Sequence, residues 1–418
     1  MTTIPARGRL SRREERIPRP NAGIWPGLDT PPAARAKGYI AEQVFKQAIR
    51  KLPVRVILAD GRRWGAGGPD APVMRILRPK NFFARLGADA KIGFGEAYMV
   101  GDWDTTTLAE LLTPFAEQLS SLVPQFLQPL RHVAERRQPK AERNTIEGSR
   151  ENIGRHYDLS NDLFAAFLDP SMMYSAALFE PGDTLEQAQR RKLDGILDYA
   201  HVGPDSHVLE IGTGWGSLAI QAAQRGARVT TLTISQEQAD LAQRRIAEAG
   251  VADRVQVLLR DYREAQGEYD AVVSVEMIEA VGPQYWKTYF AKLDQLTKPG
   301  GRVALQAITM QHERMMATRG SYTWIHKYIF PGGMIPSVRS IGANVADTSL
   351  KIVDQRSFGL DYAETLRQWG ESFLANWSEI EGYGFDGTFK RMWEFYLGYC
   401  EAGFRAGHLD VYQFGMAR

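Results

Sequence analysis

The chain has 418 residues, 44% of them hydrophobic and 24% charged, which excludes a largely disordered protein and leaves room for two or three domains. Its single cysteine, Cys400, excludes an internal disulfide framework and a zinc or iron–sulfur site built from several cysteines. The formal net charge is only +2, so we expect no nucleic-acid partner, and we expect no metal site either.

Residues 1–35 are predicted to form a flexible arm, because proline, glycine and arginine dominate them and no hydrophobic period emerges. This start lacks the apolar centre of a secretory signal, and no run of about 18 apolar residues predicts a membrane span. We therefore expect a cytoplasmic protein. Any association with the inner face of the membrane would then depend on a surface patch.

Residues 36–130 are predicted to form a small α+β domain that contacts lipid or a second subunit. Apolar residues recur at helical spacing through 41–52, and the pattern of 53–64 predicts two strands joined by a turn. Residues 131–150 are rich in arginine and lysine and are predicted to be a linker. Its alternatives are a solvated charged helix and a patch that meets anionic lipid headgroups.

Residues 151–418 are predicted to form a Rossmann-like α/β domain. From about residue 185, short apolar segments typical of strands alternate with amphipathic segments typical of helices. Such alternation predicts parallel βαβ units and a doubly wound, mostly parallel sheet.

A glycine turn follows the first predicted strand of this domain, in VLEIGTGWGS, residues 208–217. Gly212, Gly214 and Gly216 permit positive φ and close approach of a ligand to the backbone. The spacing is neither the dinucleotide fingerprint nor a phosphate loop. It resembles the Glu-x-Gly-x-Gly motif of S-adenosylmethionine-dependent methyltransferases, beginning here at Glu210. The alternative is a structural turn that binds no cofactor.

Asp261 follows a later predicted strand, in the segment RDYRE. In methyltransferases of this kind an acidic residue at that strand end commonly contacts the adenine, and Tyr262 is placed to pack against the ring. The alternative is an ordinary surface loop.

Five further segments resemble the cyclopropane-fatty-acid synthase family, which includes the mycolic acid cyclopropane synthases. They are HYDLSNDLFAAFLDPSMMYSAALFE (156–180), VEMIEAVG (275–282), YIFPGGMIPS (328–337), FYLGYCEAGFRAGHLDVYQFGMAR (395–418) and, in the first region, FGEAYMVGDWD (94–104). The resemblance covers about residues 36–418.

The resemblance implies a homodimeric enzyme at the membrane surface that transfers the methyl of S-adenosylmethionine to the cis double bond of an unsaturated phospholipid acyl chain, through a carbocation. The residues it implies for cofactor binding are Tyr174, Ser175, Glu210, Gly212, Gly214, Gly216, Thr233, Gln238, Asp261 and Tyr262. The residues it implies for substrate binding are His156, Tyr157, Trp324, Tyr328 and Phe330. Aromatic faces stabilise a desolvated cation, although core packing is the alternative for each ring.

The family removes the final proton with a bound bicarbonate. Three of its ligands match Glu279, Tyr396 and Ile308, but the family cysteine is Ala176 here and the family histidine is Gln306. Alanine offers no side-chain donor, and glutamine donates a hydrogen bond but does not shuttle protons. Either bicarbonate binds with altered geometry, or Glu279 or Tyr396 takes the proton itself. The candidate catalytic residues are Glu279, Tyr396, Gln306 and Ile308.

The altered base site bears on the product. Proton loss from the methyl before any rearrangement closes a cyclopropane ring, whereas a preceding 1,2-hydride shift leads to an exocyclic methylene. We expect the 10-methylene chain, which a separate reductase would convert into a methyl branch. The alternatives are a cyclopropane synthase, a non-catalytic lipid-binding homologue and a methyltransferase that acts on small molecules.

Overall fold

The computed structural model describes residues 19–118 and 160–418, which divide into two compact units. The first unit contains the described residues up to Leu111 together with Asp386–Phe395, and the second contains the other described residues. The basic segment 131–150 and the domain boundaries predicted at its ends lie outside the described residues.

Residues 19–118 form four helices and four short strands. These are α1 (Arg35–Ile49), β1 (Arg55–Leu58), β2 (Arg63–Trp64), β3 (Val73–Ile76), α2 (Pro79–Ala88), α3 (Ala90–Met99), β4 (Trp103–Asp104) and α4 (Leu108–Glu117). The sheet order is β2-β1-β3-β4, with β1 and β3 parallel and the other neighbours antiparallel. The predicted helix and the two strands of 53–64 are confirmed, with the helix beginning earlier than its apolar period.

The segment FGEAYMVGDWD forms the aromatic core of the first unit. The fully buried ring of Trp103 lies 4.8 Å from Phe94 and 4.9 Å from Tyr98 between centroids. The guanidinium of Arg391 lies 4.0 Å above the Tyr98 ring, and its Nε donates to the Tyr98 carbonyl oxygen over 2.6 Å. A buried cation over an aromatic face stabilises the packing. This contact explains why Asp386–Phe395 belongs to the first unit.

The second unit contains the remaining helices and strands of the described chain, and the first turns of its last helix belong to the first unit. The helices are α5 (Asn161–Phe167), α6 (Leu185–Tyr199), α7 (Ser217–Gln224), α8 (Gln236–Glu248), α9 (Ile278–Val281), α10 (Trp286–Leu296), α11 (His312–Thr318), α12 (Trp324–Tyr328), α13 (Val338–Val345), α14 (Gly359–Ala375), α15 (Trp377–Gly382) and α16 (Gly387–Arg405). The strands are β5 (His207–Ile211), β6 (Arg228–Thr233), β7 (Val255–Leu259), β8 (Tyr269–Val275), β9 (Thr297–Met310), β10 (Lys351–Ser357) and β11 (Leu409–Ala417).

The large sheet has the order β10-β11-β9-β8-β5-β6-β7. Strands β9, β8, β5, β6 and β7 are parallel, which confirms the predicted Rossmann-like fold. Strand β11 pairs antiparallel with both β9 and β10, an edge that the sequence pattern did not predict. In this register Gln413 lies opposite both Gln306 and Arg356.

Helix α10 packs against one face of the large sheet. Its Tyr289, Phe290 and Leu293 are fully buried. At the start of α6, the side chain of Thr184 accepts a hydrogen bond from the N–H of Gln187, whose own side chain accepts from the N–H of Thr184, so this helix end is capped. Within 19–118 and 160–418, no helix combines the length and apolarity needed to cross a bilayer.

Replacing Phe290 by alanine should destabilise the second unit by about 3–5 kcal/mol, because the ring is fully buried and its removal leaves a cavity. Urea unfolding followed by tryptophan fluorescence measures the change. The control is Leu360→Ala, at a side chain that is 68% exposed, which should change little. Equal effects of the two substitutions would contradict the assigned core.

Candidate active site

The glycine turn lies at the carboxyl end of β5, between β6 and β8. Gly212, Gly214 and Gly216 have φ values of 99°, 51° and 90°. A Cβ on Gly212 would lie 2.7 Å from Cγ of Met277, whereas one on Gly214 would meet no atom within 4 Å. The turn therefore requires glycine for its conformation and leaves open space at its centre. In open α/β sheets, ligands bind at this edge.

Glu210 lies beneath this turn. Its carboxylate is buried and accepts a 2.6 Å hydrogen bond from the hydroxyl of Thr231, which also contacts the hydroxyl of Thr213 at 2.7 Å. Burial raises the pKa of Glu210 to about 8. The contacts tie the turn to β6 and hold its backbone in place.

The next two strands bring further candidate cofactor residues to the same edge, because parallel neighbours end side by side. At the end of β6, the hydroxyl of Thr233 donates to Oε1 of Gln238 over 3.0 Å. After β7, the buried Asp261 accepts from Nε and Nη2 of Arg263 at 2.8 and 2.7 Å. The ring of Tyr262 is buried beside them. These side chains line the sheet edge on the side of β6 and β7.

Tyr174 and Ser175 lie on the segment between α5 and α6. The hydroxyls of Tyr174 and Tyr396 are 2.7 Å apart. The Ser175 hydroxyl lies 2.5 Å from Nζ of Lys192, a fully buried lysine whose pKa is lowered to about 8 by desolvation. This segment therefore joins the predicted cofactor residues to a buried positive charge that sequence reasoning missed.

Glu276 follows β8, and its carboxylate accepts three hydrogen bonds. Its Oε1 accepts from the backbone N–H of Ala176 at 3.0 Å and from Nε2 of Gln306 at 2.8 Å. Its Oε2 accepts from the hydroxyl of Tyr362 at 2.8 Å. Its backbone has a φ of 51°, an unfavourable value for a residue other than glycine, and such strain is concentrated at functional sites.

Glu279 lies three residues farther along the chain, in the short helix α9. Its Oε1 accepts from the N–H of Ile308 at 2.5 Å, while Oε2 is buried without a hydrogen-bond partner among the described residues. Burial, and then the negative charge of Glu276, raise the pKa of Glu279 to about 8. Glu279 is therefore mainly protonated at neutral pH.

Of this pair, Glu276 has the surroundings that better stabilise a negative charge. Burial raises the pKa of Glu276 as well, but three hydrogen-bond donors and the positive charge of Lys192 oppose that rise. Glu279 has only the backbone N–H groups of Ile308 and of its own residue in this role. Two carboxylates in one site do not ionise independently, so the group with more donors keeps the charge.

Aromatic rings surround the two predicted tyrosines. Tyr174 stacks on Trp369 at 5.2 Å, and Phe330 meets Tyr396 edge-on at 5.8 Å. Burial raises the pKa of Tyr396 well above its usual value, so its hydroxyl stays neutral and does not serve as a base near neutral pH. These rings offer π faces to a cation.

The predicted substrate residues Trp324 and Tyr328 lie on α12, with ring centroids 5.5 Å apart, and Trp324 is buried. His156 and Tyr157 lie outside the described residues. The sequence prediction missed Glu276, Tyr362 and Lys192. One available signal was the spacing of Glu276 and Glu279, three residues apart just after a strand.

Known proteins with similar sequences indicate the family of this chain. The model of the mycolic acid cyclopropane synthetase family matches residues 145–414. The chain is 49% identical over 415 residues to the tuberculostearic acid methyltransferase UfaA1 of Mycobacterium tuberculosis, covering 96% of this chain and 97% of that protein. It is 38% identical over 351 residues to the cyclopropane-fatty-acyl-phospholipid synthase of Escherichia coli, covering 82% and 87%.

Two of the solved structures with a similar fold are cyclopropane synthases. The cyclopropane synthase MmaA2 of Mycobacterium tuberculosis matches with a TM-score of 0.61 and 32% identity, over 64% of this chain and 98% of that one. The mycolic acid cyclopropane synthase CmaA1, complexed with SAH and CTAB, matches with a TM-score of 0.60 and 28% identity, over 67% and 99%. The chain thus belongs to the mycolic acid cyclopropane synthetase family of S-adenosylmethionine-dependent methyltransferases.

Proposed function

We propose that this enzyme methylates the cis double bond of an unsaturated phospholipid acyl chain and releases a 10-methylene chain. The observation that carries the proposal is the carboxylate of Glu276, on which the N–H of Ala176 and the amide of Gln306 converge. Residues 176 and 306 are the two positions at which the sequence departs from the bicarbonate ligands of cyclopropane synthases. The 49% identity to a tuberculostearic acid methyltransferase supports the same branch.

The residues of the sheet edge fit S-adenosylmethionine. An extended nucleoside needs open space and polar groups along one edge of the sheet. That edge has the open space at Gly214, the turn held by Glu210, and the polar groups of Gln238 and Asp261. When bound, S-adenosylmethionine supplies an electrophilic methyl group, which the π electrons of the alkene attack as the carbon–sulfur bond breaks. The chain's own part is to orient the alkene and to exclude water.

The site does not fit bicarbonate as well as it fits S-adenosylmethionine. The Ala176 N–H and the Gln306 amide, which would face the ion, already donate to Glu276. The protein thus supplies a carboxylate of its own at that position. We assign the final proton transfer to Glu276, which is the ionised member of the pair.

The strength of this base determines the product. Three hydrogen bonds to Glu276 oppose the rise that burial gives its pKa, so it is a weaker base than burial alone would make it, and the carbocation on the acyl chain has time for a 1,2-hydride shift. The cation then lies on the carbon that bears the new methyl. The methyl loses a proton to Glu276, and the electron pair of that C–H bond forms the exocyclic double bond. Rings such as Tyr174 and Phe330 stabilise the cation meanwhile.

The setting of the reaction belongs to the same proposal. A phospholipid acyl chain is reached at the membrane surface, so we place the enzyme at the inner face of the membrane, as a homodimer like the two-domain synthases it resembles, with the first unit contacting lipid or the second subunit. Methyl transfer supplies no electrons for reducing the new double bond. A separate reductase is therefore needed to complete a methyl branch.

A second candidate function is cyclopropane synthesis, which the 38% identity to the cyclopropane-fatty-acyl-phospholipid synthase favours. The two reactions add the same mass to the chain. They differ in how the last proton leaves, so the product itself distinguishes them.

Expression in a host rich in oleoyl phospholipid, followed by mass spectrometry and proton NMR of its fatty acids, tests the proposal. We expect vinylidene protons on a chain heavier by one methylene unit. Cyclopropyl protons would contradict the proposed order of hydride shift and proton loss. An unmodified lipid despite S-adenosylmethionine binding by calorimetry would favour the non-catalytic lipid-binding alternative.

The two glutamates should respond differently to conversion into glutamine. Glu276→Gln removes the base and should lower kcat by about 100-fold or more. Glu279→Gln mimics the protonated acid and keeps an acceptor for the Ile308 N–H, so we expect a loss of about tenfold at most. Single-turnover methyl transfer at neutral pH measures both. A larger loss in Glu279→Gln would reverse the assignment.

A small anion should rescue a variant that lacks the carboxylate. Glu276→Gly leaves a space bounded by the Ala176 N–H, Gln306 and Tyr362 and relieves the strain at φ 51°. Added bicarbonate or formate should raise its rate in a saturable manner. Glu276→Gln keeps the space filled and is the control that should not respond. Equal responses would contradict the proposed position of the base.

A further inference from the structure

We propose that Arg356 and Gln413 are positioning residues that fix the direction of the hydrogen bond from Gln306 to the base. The inference rests on the proposed role of Glu276. None of the sequence motifs includes Arg356, and neither it nor Gln413 contacts the carboxylate.

The four side chains form one line of hydrogen bonds. Nε of Arg356 donates to Oε1 of Gln413 over 2.8 Å. Nε2 of Gln413 donates to Oε1 of Gln306 over 2.9 Å. Nε2 of Gln306 then donates to Oε1 of Glu276 over 2.8 Å. We call this line the amide relay.

The backbone register explains the alignment. Arg356 on β10 lies opposite Gln413 on β11, which lies opposite Gln306 on β9. Directly opposed residues of antiparallel strands project to the same face of the sheet. Both glutamines have no exposed surface, so water does not replace their partners.

The guanidinium sets the direction of the whole line, and the carbonyl oxygens of Lys192 and Ala176, which accept from Gln413 and Gln306, favour the same direction. Arginine has donors and no acceptor, so Arg356 binds only the oxygen end of the Gln413 amide. The nitrogen end of Gln413 therefore faces Gln306 and also donates to the carbonyl oxygen of Lys192 over 3.0 Å. Gln306 must present its oxygen to Gln413, which leaves its nitrogen for Glu276.

This direction matters once Glu276 has taken a proton. A free Gln306 amide would flip and accept a hydrogen bond from the protonated acid, which would stabilise that form. The relay prevents the flip, so the site favours the ionised carboxylate and the release of the proton. A hydrogen bond to the charged form of an acid lowers its pKa.

Other groups also face Glu276. The N–H of Ala176 and the hydroxyl of Tyr362 donate to it, Lys192 attracts its charge, and Glu279 repels it. These groups stay in place when the relay is disturbed. The relay is therefore expected to shift the pKa of Glu276 and not to abolish ionisation.

Helix α6 leaves room for the relay at Gly195. A Cβ there would lie 1.5 Å from Nη2 of Arg356 and 3.1 Å from Oε1 of Gln413. A glycine inside a helix is less favourable than alanine by about 1 kcal/mol. Here it leaves the space into which the end of the arginine extends.

The substitution Gly195→Ala tests the proposal while keeping every polar group. It should displace the flexible end of Arg356 without unfolding the protein, because alanine favours the helix. The acidic limb of the kcat–pH profile should then move to higher pH by about one unit, a loss of about tenfold at acidic pH that disappears at alkaline pH. KM for S-adenosylmethionine should stay the same.

The matched control is Gly370→Ala in helix α14, where a new Cβ would meet no atom within 4 Å. This substitution raises helix propensity by the same amount as Gly195→Ala, and it should leave the kcat–pH profile unchanged. Arg356→Met should reproduce the shift, and Arg356→Lys should restore most of the wild-type profile, because lysine also only donates. A wild-type profile for Gly195→Ala and Arg356→Met would overturn the relay.

Failure of the proposed function gives a different result. In that case the wild-type protein forms a cyclopropane chain, or no modified lipid at any pH. The relay is then measured by infrared titration of the Glu276 carboxyl band, identified by its absence in Glu276→Gln. The proposal expects this band to titrate at higher pH in Gly195→Ala than in the wild type, and coincident titrations would overturn it.

Discussion

The hydrogen bonds around the Glu276 carboxylate are the constraint on which the rest of the site depends. An ionised carboxylate is costly to enclose unless donors compensate for the water it loses. Three donors do so here, from Ala176, Gln306 and Tyr362, with Lys192 as the nearby positive charge. They come from separate parts of the chain, so the carboxylate is held in place only when the second unit is fully folded.

We propose that the same constraint distinguishes this protein from the cyclopropane synthases it resembles. An alanine and a glutamine replace two ligands of bicarbonate, which in the sequence alone looked like losses. In the structure, the backbone N–H of Ala176 and the amide of Gln306 both bind Glu276. We propose that the two departures belong to one change, in which the carboxylate of Glu276 takes the place of a bound ion.

Local patterns predicted the parallel part of the fold and the glycine turn, because strand and helix periods and the φ preference of glycine act over a few residues. Strands β10 and β11 were missed because their pairing joins segments distant in sequence. The same reason hid the amide relay, in which Arg356, Gln413 and Gln306 meet only through that pairing. Glu279 was predicted by resemblance, whereas Glu276 was not among the residues that the resemblance implied and became visible only through its contacts.

The dependence of wild-type turnover on bicarbonate tests the central claim most directly. Methyl transfer would be measured in buffer freed of carbon dioxide and again with added bicarbonate. If Glu276 is the base that the chain supplies, the two rates are equal. A rate that falls without carbon dioxide and recovers with bicarbonate would contradict this account and return the protein to the bicarbonate mechanism of its relatives.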